Sequence, residues 1–181
     1  MKTNGYALKR VHKANITVII LIVALITAKA FIMQGFNRGL TIAMQGSIVV
    51  VFALINYFLK INEHLKGFLF AFVPAAIVLV LLFIEGYTLD KHYMLLATLA
   101  MAALYFKKEL IIVHAIALDL LMIGLHLKDN TKLIGNLPQQ QFVSIVLVLN
   151  GIALLLFFLA KWGQELVEES RKKGSYIENL L

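Results

Sequence analysis

The stretch that decides the fold is "GFLFAFVPAAIVLVLLFI", residues 67–84, which is 18 residues long and contains no charged side chain. An α-helix needs about 20 mostly apolar residues to cross the hydrocarbon core of a bilayer. Backbone polar groups in lipid must be satisfied within the segment, so a helix is the expected conformation. Residues 67–84 therefore predict a transmembrane helix, and Pro74 near its centre introduces a kink because proline lacks a backbone N–H.

Five further apolar runs resemble this one and are joined to it by short polar connections. Together they predict an all-α fold: an integral membrane bundle of six transmembrane helices with a cytoplasmic C-terminal helix. The fourth run is the shortest, and its crossing requires flanking residues or a locally thinned bilayer. The six predicted spans are residues 16–33, 40–59, 67–84, 92–106, 110–127 and 142–160.

Composition supports the same class of protein. The chain has 181 residues, of which 61% are hydrophobic, and its mean hydropathy is +0.86. A soluble domain is only about 45–50% apolar. The higher apolar content of this chain therefore predicts that the lipid bilayer is its partner. The absence of cysteine excludes a disulfide framework and a cysteine nucleophile. The net charge of +7 does not predict nucleic-acid binding, because the basic residues flank apolar runs instead of forming one patch.

The distribution of lysine and arginine predicts the orientation. Six spans place 12 basic residues on the side of the two termini and 5 on the opposite side. Basic residues favour the cytoplasmic side, so we expect a multi-pass protein of the cell membrane with both termini in the cytoplasm. The predicted organisation is a basic N-terminus at residues 1–15, a six-span domain at residues 16–160 and a cytoplasmic helix at residues 161–181.

Polar residues within the spans are the candidate site. Asp119 lies at the midpoint of the fifth span, where a charge costs about 2.5–3.5 kcal/mol on insertion scales. It is interpreted as a ligand, ion or proton site, with a structural hydrogen bond to Asn150 of the sixth span as the alternative. His126 and His114 are assigned either to helix packing or to sensing. Asp119, Asn150, Pro74 and the second span are expected to line one small polar cavity.

Lys29 and Glu85 lie near the outer ends of the first and third spans. Lys29 either extends outward to the interface, pairs with Glu85, or reaches down towards Asp119. The sequence has no nucleophile elbow, HExxH motif or glycine-rich phosphate loop. We therefore predict no catalytic residue, no metal site and no cofactor. The outer connections are too short to form a separate sensing domain.

The tail "FFLAKWGQELVEESRKK", residues 157–173, followed by "YIENLL", residues 176–181, is charged but helical in character. Leu166, Lys173 and Leu180 recur every seven residues, as in a coiled coil, although Gly174 and Ser175 interrupt the pattern. With the six spans, this tail resembles the membrane region of bacterial methyl-accepting chemotaxis proteins that lack a periplasmic sensor domain. The resemblance implies a chain cut before its cytoplasmic signalling domain, a homodimer or higher oligomer, and cytoplasmic signalling partners.

The sequence thus predicts a membrane-embedded input module of a bacterial signal-transduction receptor, most simply a chemoreceptor. In that module Asp119 is the sensing acid and Asn150 is its partner, with His126, Lys29 and Glu85 as further contacts. The membrane region of a sensor histidine kinase and a small multi-span transporter or channel subunit are the alternatives.

Overall fold

The computed structural model describes residues 3–134 and 138–178, and every element in these ranges is a helix. Six of the helices are long, and a five-residue helix precedes the last of them. They are α1 (Thr3–Gln34), α2 (Phe36–Phe58), α3 (Glu63–Glu85), α4 (Leu89–Ala103), α5 (Lys108–Lys128), α6 (Asn130–Ile134) and α7 (Gln139–Glu178).

The short connections are set by a few local residues. Gly35 separates α1 from α2 with a φ of 85°, and Gly86 ends α3 with a φ of 84°. Glycine adopts these left-handed conformations without a steric penalty. At the start of α3, the Asn62 side chain accepts a hydrogen bond of 2.8 Å from the backbone N–H of His64, which caps the helix.

The first four helices alternate in direction. His12 near the start of α1 contacts Glu63 at the start of α3, and it also contacts Tyr105, which follows α4. At the opposite ends of these helices, Glu85 is the last residue of α3 and contacts Arg38 at the start of α2. We refer to these two ends of the bundle as the His12 end and the Glu85 end. The α4 helix connects them, since it starts near Glu85 and ends near His12.

The α3 helix is central in the bundle. In its most apolar window 44% of the residues are buried, against 11% in α1 and 17% in α2. Phe70, Ala71, Ala75 and Leu79 of α3 are each at most 1% exposed. The outer faces of the other long helices leave large leucine, isoleucine and phenylalanine side chains exposed. Several long apolar helices with such faces indicate a membrane protein.

A stripe of small residues brings α1 and α2 together. Gly39, Gly46 and Ala53 recur every seven residues on α2. A Cβ atom on residue 46 would lie well inside contact distance of the Val23 side chain, and one on residue 39 would clash with the Phe31 ring. Small residues at such positions let helix backbones approach closely.

The all-helical prediction is confirmed, but the number of spans is not. Five helices are long and apolar enough to cross a membrane, namely Leu8–Gln34 within α1, then α2, α3, α5, and Gln139–Ser170 within α7. The fourth predicted span forms α4, which has only 15 residues. Helices run without interruption through both predicted domain boundaries, at residues 15–16 and 160–161. Of the predicted heptad positions, Leu180 lies outside the described residues.

Candidate functional site

A cavity of about 160 Å³ lies between α1, α2, α3 and α4. Its body is apolar because branched aliphatic side chains from these helices face one another. Its charged lining residues gather at the Glu85 end. Pro74 and Gln45 line the cavity, as the sequence predicted for α3 and α2. The apolar lining includes Ile19, Ile22, Val23, Ile26, Ile42 and Val49.

Glu85 organises the polar end of the cavity. Its Oε1 accepts a hydrogen bond of 2.7 Å from Gln45, and its Oε2 lies 3.0 Å from Arg38 Nη2 and 3.2 Å from Lys91 Nζ. The Glu85 and Lys91 side chains are only 17% and 11% exposed. We call Arg38, Gln45, Glu85 and Lys91 the Glu85 cluster. Its residues come from α2, α3 and α4, so it ties three helices together at one point.

Lys91 also caps the C-terminal end of α3. Its Nζ donates to the carbonyl oxygens of Leu81 at 3.2 Å and Gly86 at 3.0 Å. These carbonyls lie at the C-terminal end of a helix, where a cation is favourable. Beside the Glu85 cluster, Lys29 of α1 pairs with Asp90 of α4 at 2.6 Å, and both side chains are about half exposed. The polar end of the cavity therefore carries three basic and two acidic groups.

A second polar cluster lies at the His12 end, between α1, α3 and the end of α4. His12 is 2% exposed and lies 2.8 Å from the Tyr105 hydroxyl and 2.7 Å from Glu63. Asn15 donates to the same hydroxyl at 3.2 Å. We call these four residues the His12 cluster. The distances fit an arrangement in which His12 Nε2–H donates to Glu63 and Nδ1 accepts from Tyr105, while the buried Asn15 Oδ1 has no partner.

Asp119 and Asn150 meet each other, but they do not line the cavity. The Asn150 amide donates to both Asp119 carboxylate oxygens, at 3.0 and 3.1 Å, and to the Val146 carbonyl at 3.0 Å. The predicted contact between these two residues is therefore present, and it joins α5 to α7. The prediction that both share a cavity with Pro74 is wrong, because α5 and α7 pack on the other side of α3 and α4.

The remaining predicted residues also have defined partners. His126 stacks on Phe142 with ring centroids 3.9 Å apart, so it packs α5 against the start of α7. His114 is fully buried, and its Nε2 lies 3.2 Å from the Thr98 hydroxyl of α4. Lys29 pairs with Asp90, and neither Glu85 nor Asp119 is its partner. Glu85 lies at the cavity as an organising residue, with partners that the sequence did not indicate.

A contact between α7 and the connection before α5 is a further feature that the sequence did not reveal. Phe106 has a φ of 48°, an unfavourable value for a bulky side chain. Its ring lies against Gly163 of α7, where a Cβ atom would be only 2.5 Å from the Phe106 Cδ1. A strained residue persists only where the surrounding structure holds it. The end of α4 is thus held directly against α7.

Sequence reasoning also missed Arg38, Lys91, His12 and Tyr105. From the sequence, Arg38 and Lys91 are only two of the five basic residues on the side opposite the termini, and each lies within a few residues of a predicted helix end. His12 and Asn15 are three residues apart just before the first apolar run, so they share one helix face, and this spacing was the available signal. No pattern in the sequence indicates that Tyr105 belongs to a polar cluster.

Among the described residues, no group of three histidine, aspartate or glutamate side chains is arranged to hold a metal ion. Comparison of the chain with family models, with curated proteins and with solved structures gives no match. Functional conclusions therefore depend on the geometry of the cavity, the two polar clusters and the contacts of α7.

Proposed function

We propose that the chain is a membrane-embedded input module of a bacterial signal-transduction receptor. The observation that carries this proposal is α7, a single unbroken helix of 40 residues. It packs inside the bundle through Asn150, passes Phe106 at Gly163, and continues beyond that contact with exposed charged side chains. Residues 164–178 extend about 22 Å at 1.5 Å per residue. A helix of this kind transmits a change in bundle packing to partners on the cytoplasmic side.

The proposed topology has six crossings: the five helices that are long enough to span a membrane, and α4. The 15 residues of α4 span about 22 Å, less than the usual hydrocarbon thickness of about 30 Å. Two observations support a crossing. The helix carries Lys91 of the Glu85 cluster near its start and ends at Ala103, two residues before Tyr105 of the His12 cluster, and the bilayer can thin around a short helix. The excess of basic residues on the side of the termini then makes the His12 end cytoplasmic.

Thiol labelling tests this topology directly, since the chain contains no cysteine. Single cysteines at the exposed positions Lys9, Lys60, Leu89, Lys132 and Glu168 are labelled in intact cells with a membrane-impermeant maleimide. We expect labelling at positions 89 and 132 only. Labelling at 9 or 168, or protection at 89, refutes six crossings with cytoplasmic termini.

The proposed mechanism is a shift between two packings of the bundle, transmitted by α4. At one end α4 supplies Lys91 and Asp90 to the polar end of the cavity. At the other end the strained Phe106 presses on Gly163 of α7. Between these ends, Thr98 of α4 touches His114 of α5. A change at the cavity that moves α4 therefore has a continuous packed route to α7.

Coupling is tested by fixing the cavity end and observing α7. The only tryptophan in the chain is Trp162, which is 62% exposed and precedes Gly163. Cysteines replacing Lys29 and Asp90 are joined with a short bifunctional thiol reagent, and iodide quenching of Trp162 is measured in nanodiscs. A control pair replaces Asp129 and Lys132, whose charged atoms lie 3.8 Å apart at the same end of the bundle. We expect altered quenching only for the first pair, and equal quenching contradicts the proposal.

A second candidate function, a small transporter, is favoured by one observation. The Glu85 and His12 clusters lie at opposite ends of the bundle, and the cavity lies between them. Alternating access needs a gate at each end of such a cavity. Proton or solute flux into proteoliposomes that is lost in His12→Gln supports transport. If the proteoliposomes show no proton or solute flux, and Trp162 quenching is altered in the preceding experiment, the input module is favoured.

A further inference from the structure

The size of the cavity limits the apolar part of a ligand. Its volume is about 160 Å³, and its body is lined by isoleucine and valine side chains. An engineered apolar cavity of about 150 Å³ stays dry and takes up benzene. The body of this cavity therefore matches one aromatic ring, or an aliphatic chain of similar volume.

The hydrogen bonds of the Glu85 cluster determine the charge of the ligand. Both Glu85 oxygens already accept bonds, and Lys91 is shared between Glu85 and two backbone carbonyls. A cationic ligand would compete with three donors for Glu85, and Asp90, the other acid on the cavity lining, is already paired with Lys29. Arg38 contributes a single nitrogen to Glu85, and its side chain is 42% exposed. A guanidinium group has further N–H donors, in a planar arrangement that matches a carboxylate. The available binding group at this end of the cavity is thus basic.

An unpaired hydroxyl group provides an independent indication of a ligand. The Thr27 Oγ1 of α1 is buried and has no hydrogen-bond partner in the described structure, and Thr27 lines the cavity. Burial of a polar group without a partner is costly. A ligand with a polar head therefore gains a bond at Thr27 that no protein group makes.

From these three observations we propose that the cavity binds a small organic monocarboxylate whose apolar body has the volume of one aromatic ring. The body lies among the isoleucine side chains of α1 and α2, and the carboxylate accepts hydrogen bonds from Arg38 at the Glu85 end. The role of this ligand as a stimulus rests on the proposed function, whereas its binding does not. Bound carboxylate adds a negative charge beside Lys91 and Asp90, the residues that begin α4.

The probe for binding is 4-fluorobenzoate, observed by fluorine NMR with the full chain in nanodiscs and with empty nanodiscs as the background. We expect saturable binding at neutral pH and at least tenfold weaker binding of 4-fluorobenzylamine, which has the same ring and the opposite charge. No saturation above the background, or equal binding of the amine, overturns the proposal. Displacement of the probe by palmitate, whose chain far exceeds the volume of one aromatic ring, overturns the size limit set by the cavity, and its failure to compete supports that limit.

Matched variants locate the site. Ala97 lines the cavity, whereas Ala100 lies one turn further along α4 and is exposed. We expect Ala97→Leu to fill the cavity and weaken binding at least tenfold, and Ala100→Leu to leave it unchanged. Arg38→Gln weakens binding at least fivefold, and Arg38→Lys, which keeps the charge but not the planar guanidinium, restores only part of it, while Gln45 and Lys91 still hold Glu85 in both variants. Equal affinity in all four variants, each with wild-type thermal stability, overturns the proposed site.

The two proposals fail in different ways. Saturable binding of 4-fluorobenzoate without any change in Trp162 quenching supports the ligand site and contradicts the input module. Absence of binding, combined with altered quenching after cross-linking positions 29 and 90, contradicts the ligand site and leaves the input module intact.

Discussion

Replacement of Gly46 by alanine tests the packing of α1 against α2. An added Cβ lies well inside contact distance of Val23 Cγ1 and 3.4 Å from Val23 Cβ and Cγ2. Carbon atoms pack best at about 3.5–4.0 Å, so the two helices must separate by about 1 Å. Valine in a helix has one strongly preferred rotamer, so Val23 cannot simply rotate away. Overpacking of this kind costs about 1–3 kcal/mol.

Gly124 and Gly151 provide the matched controls, because a Cβ at either position meets nothing within 4 Å. Alanine there retains its gain in helix propensity, up to about 1 kcal/mol over glycine. The free energy of unfolding is measured in mixed micelles by titration with SDS, with far-UV circular dichroism as the signal. We expect Gly46→Ala to be less stable than Gly124→Ala and Gly151→Ala by about 1–3 kcal/mol. Equal stability of the three variants refutes the close approach of α1 and α2.

Three further predictions use the same titration. Glu85→Leu leaves the largely buried Lys91 without its carboxylate and also removes the partner of the more exposed Arg38, and we expect a loss of about 2–4 kcal/mol. Asp90→Asn breaks only an exposed ion pair, so its cost should stay below about 1 kcal/mol, and equal losses in the two variants would contradict the burial difference. Tyr105→Phe leaves the buried His12 Nδ1 without a partner and leaves Asn15 Nδ2 only its 3.5 Å bond to the Met101 carbonyl, and a cost of about 1–3 kcal/mol is expected.

Much of the helical architecture could be predicted from the sequence. The apolar runs are long, so the helices around residues 67–84 and 110–127 follow from length and hydropathy alone. The contact between Asp119 and Asn150 was also predictable, because polar groups in adjacent apolar helices stabilise each other only by pairing.

The cavity could not be predicted, because hydropathy does not reveal which helices are neighbours. The sequence places Asp119 and Pro74 at a similar depth in the bilayer, which is why they were expected to share a cavity. In the structure Asp119 of α5 instead contacts Asn150 of α7 and does not line the cavity. The partner of Lys29 depends on how α1 packs against α4, which the sequence does not specify. The contact between Phe106 and Gly163 depends on a backbone conformation that is unusual for phenylalanine.

Spin-label distances test the central claim, that changes at the cavity move α7, most directly. Labels at the exposed positions Lys60 and Glu168 report the position of α7 relative to the His12 end of the bundle. Distances are measured by double electron–electron resonance in nanodiscs, in the otherwise wild-type chain, in Glu85→Gln, and in Asp129→Asn as a control at the same end outside the cavity. Signalling helices typically shift by about 1–2 Å. The account predicts a shift of that size in the main distance for Glu85→Gln alone, whereas superimposable distributions in all three proteins would contradict it.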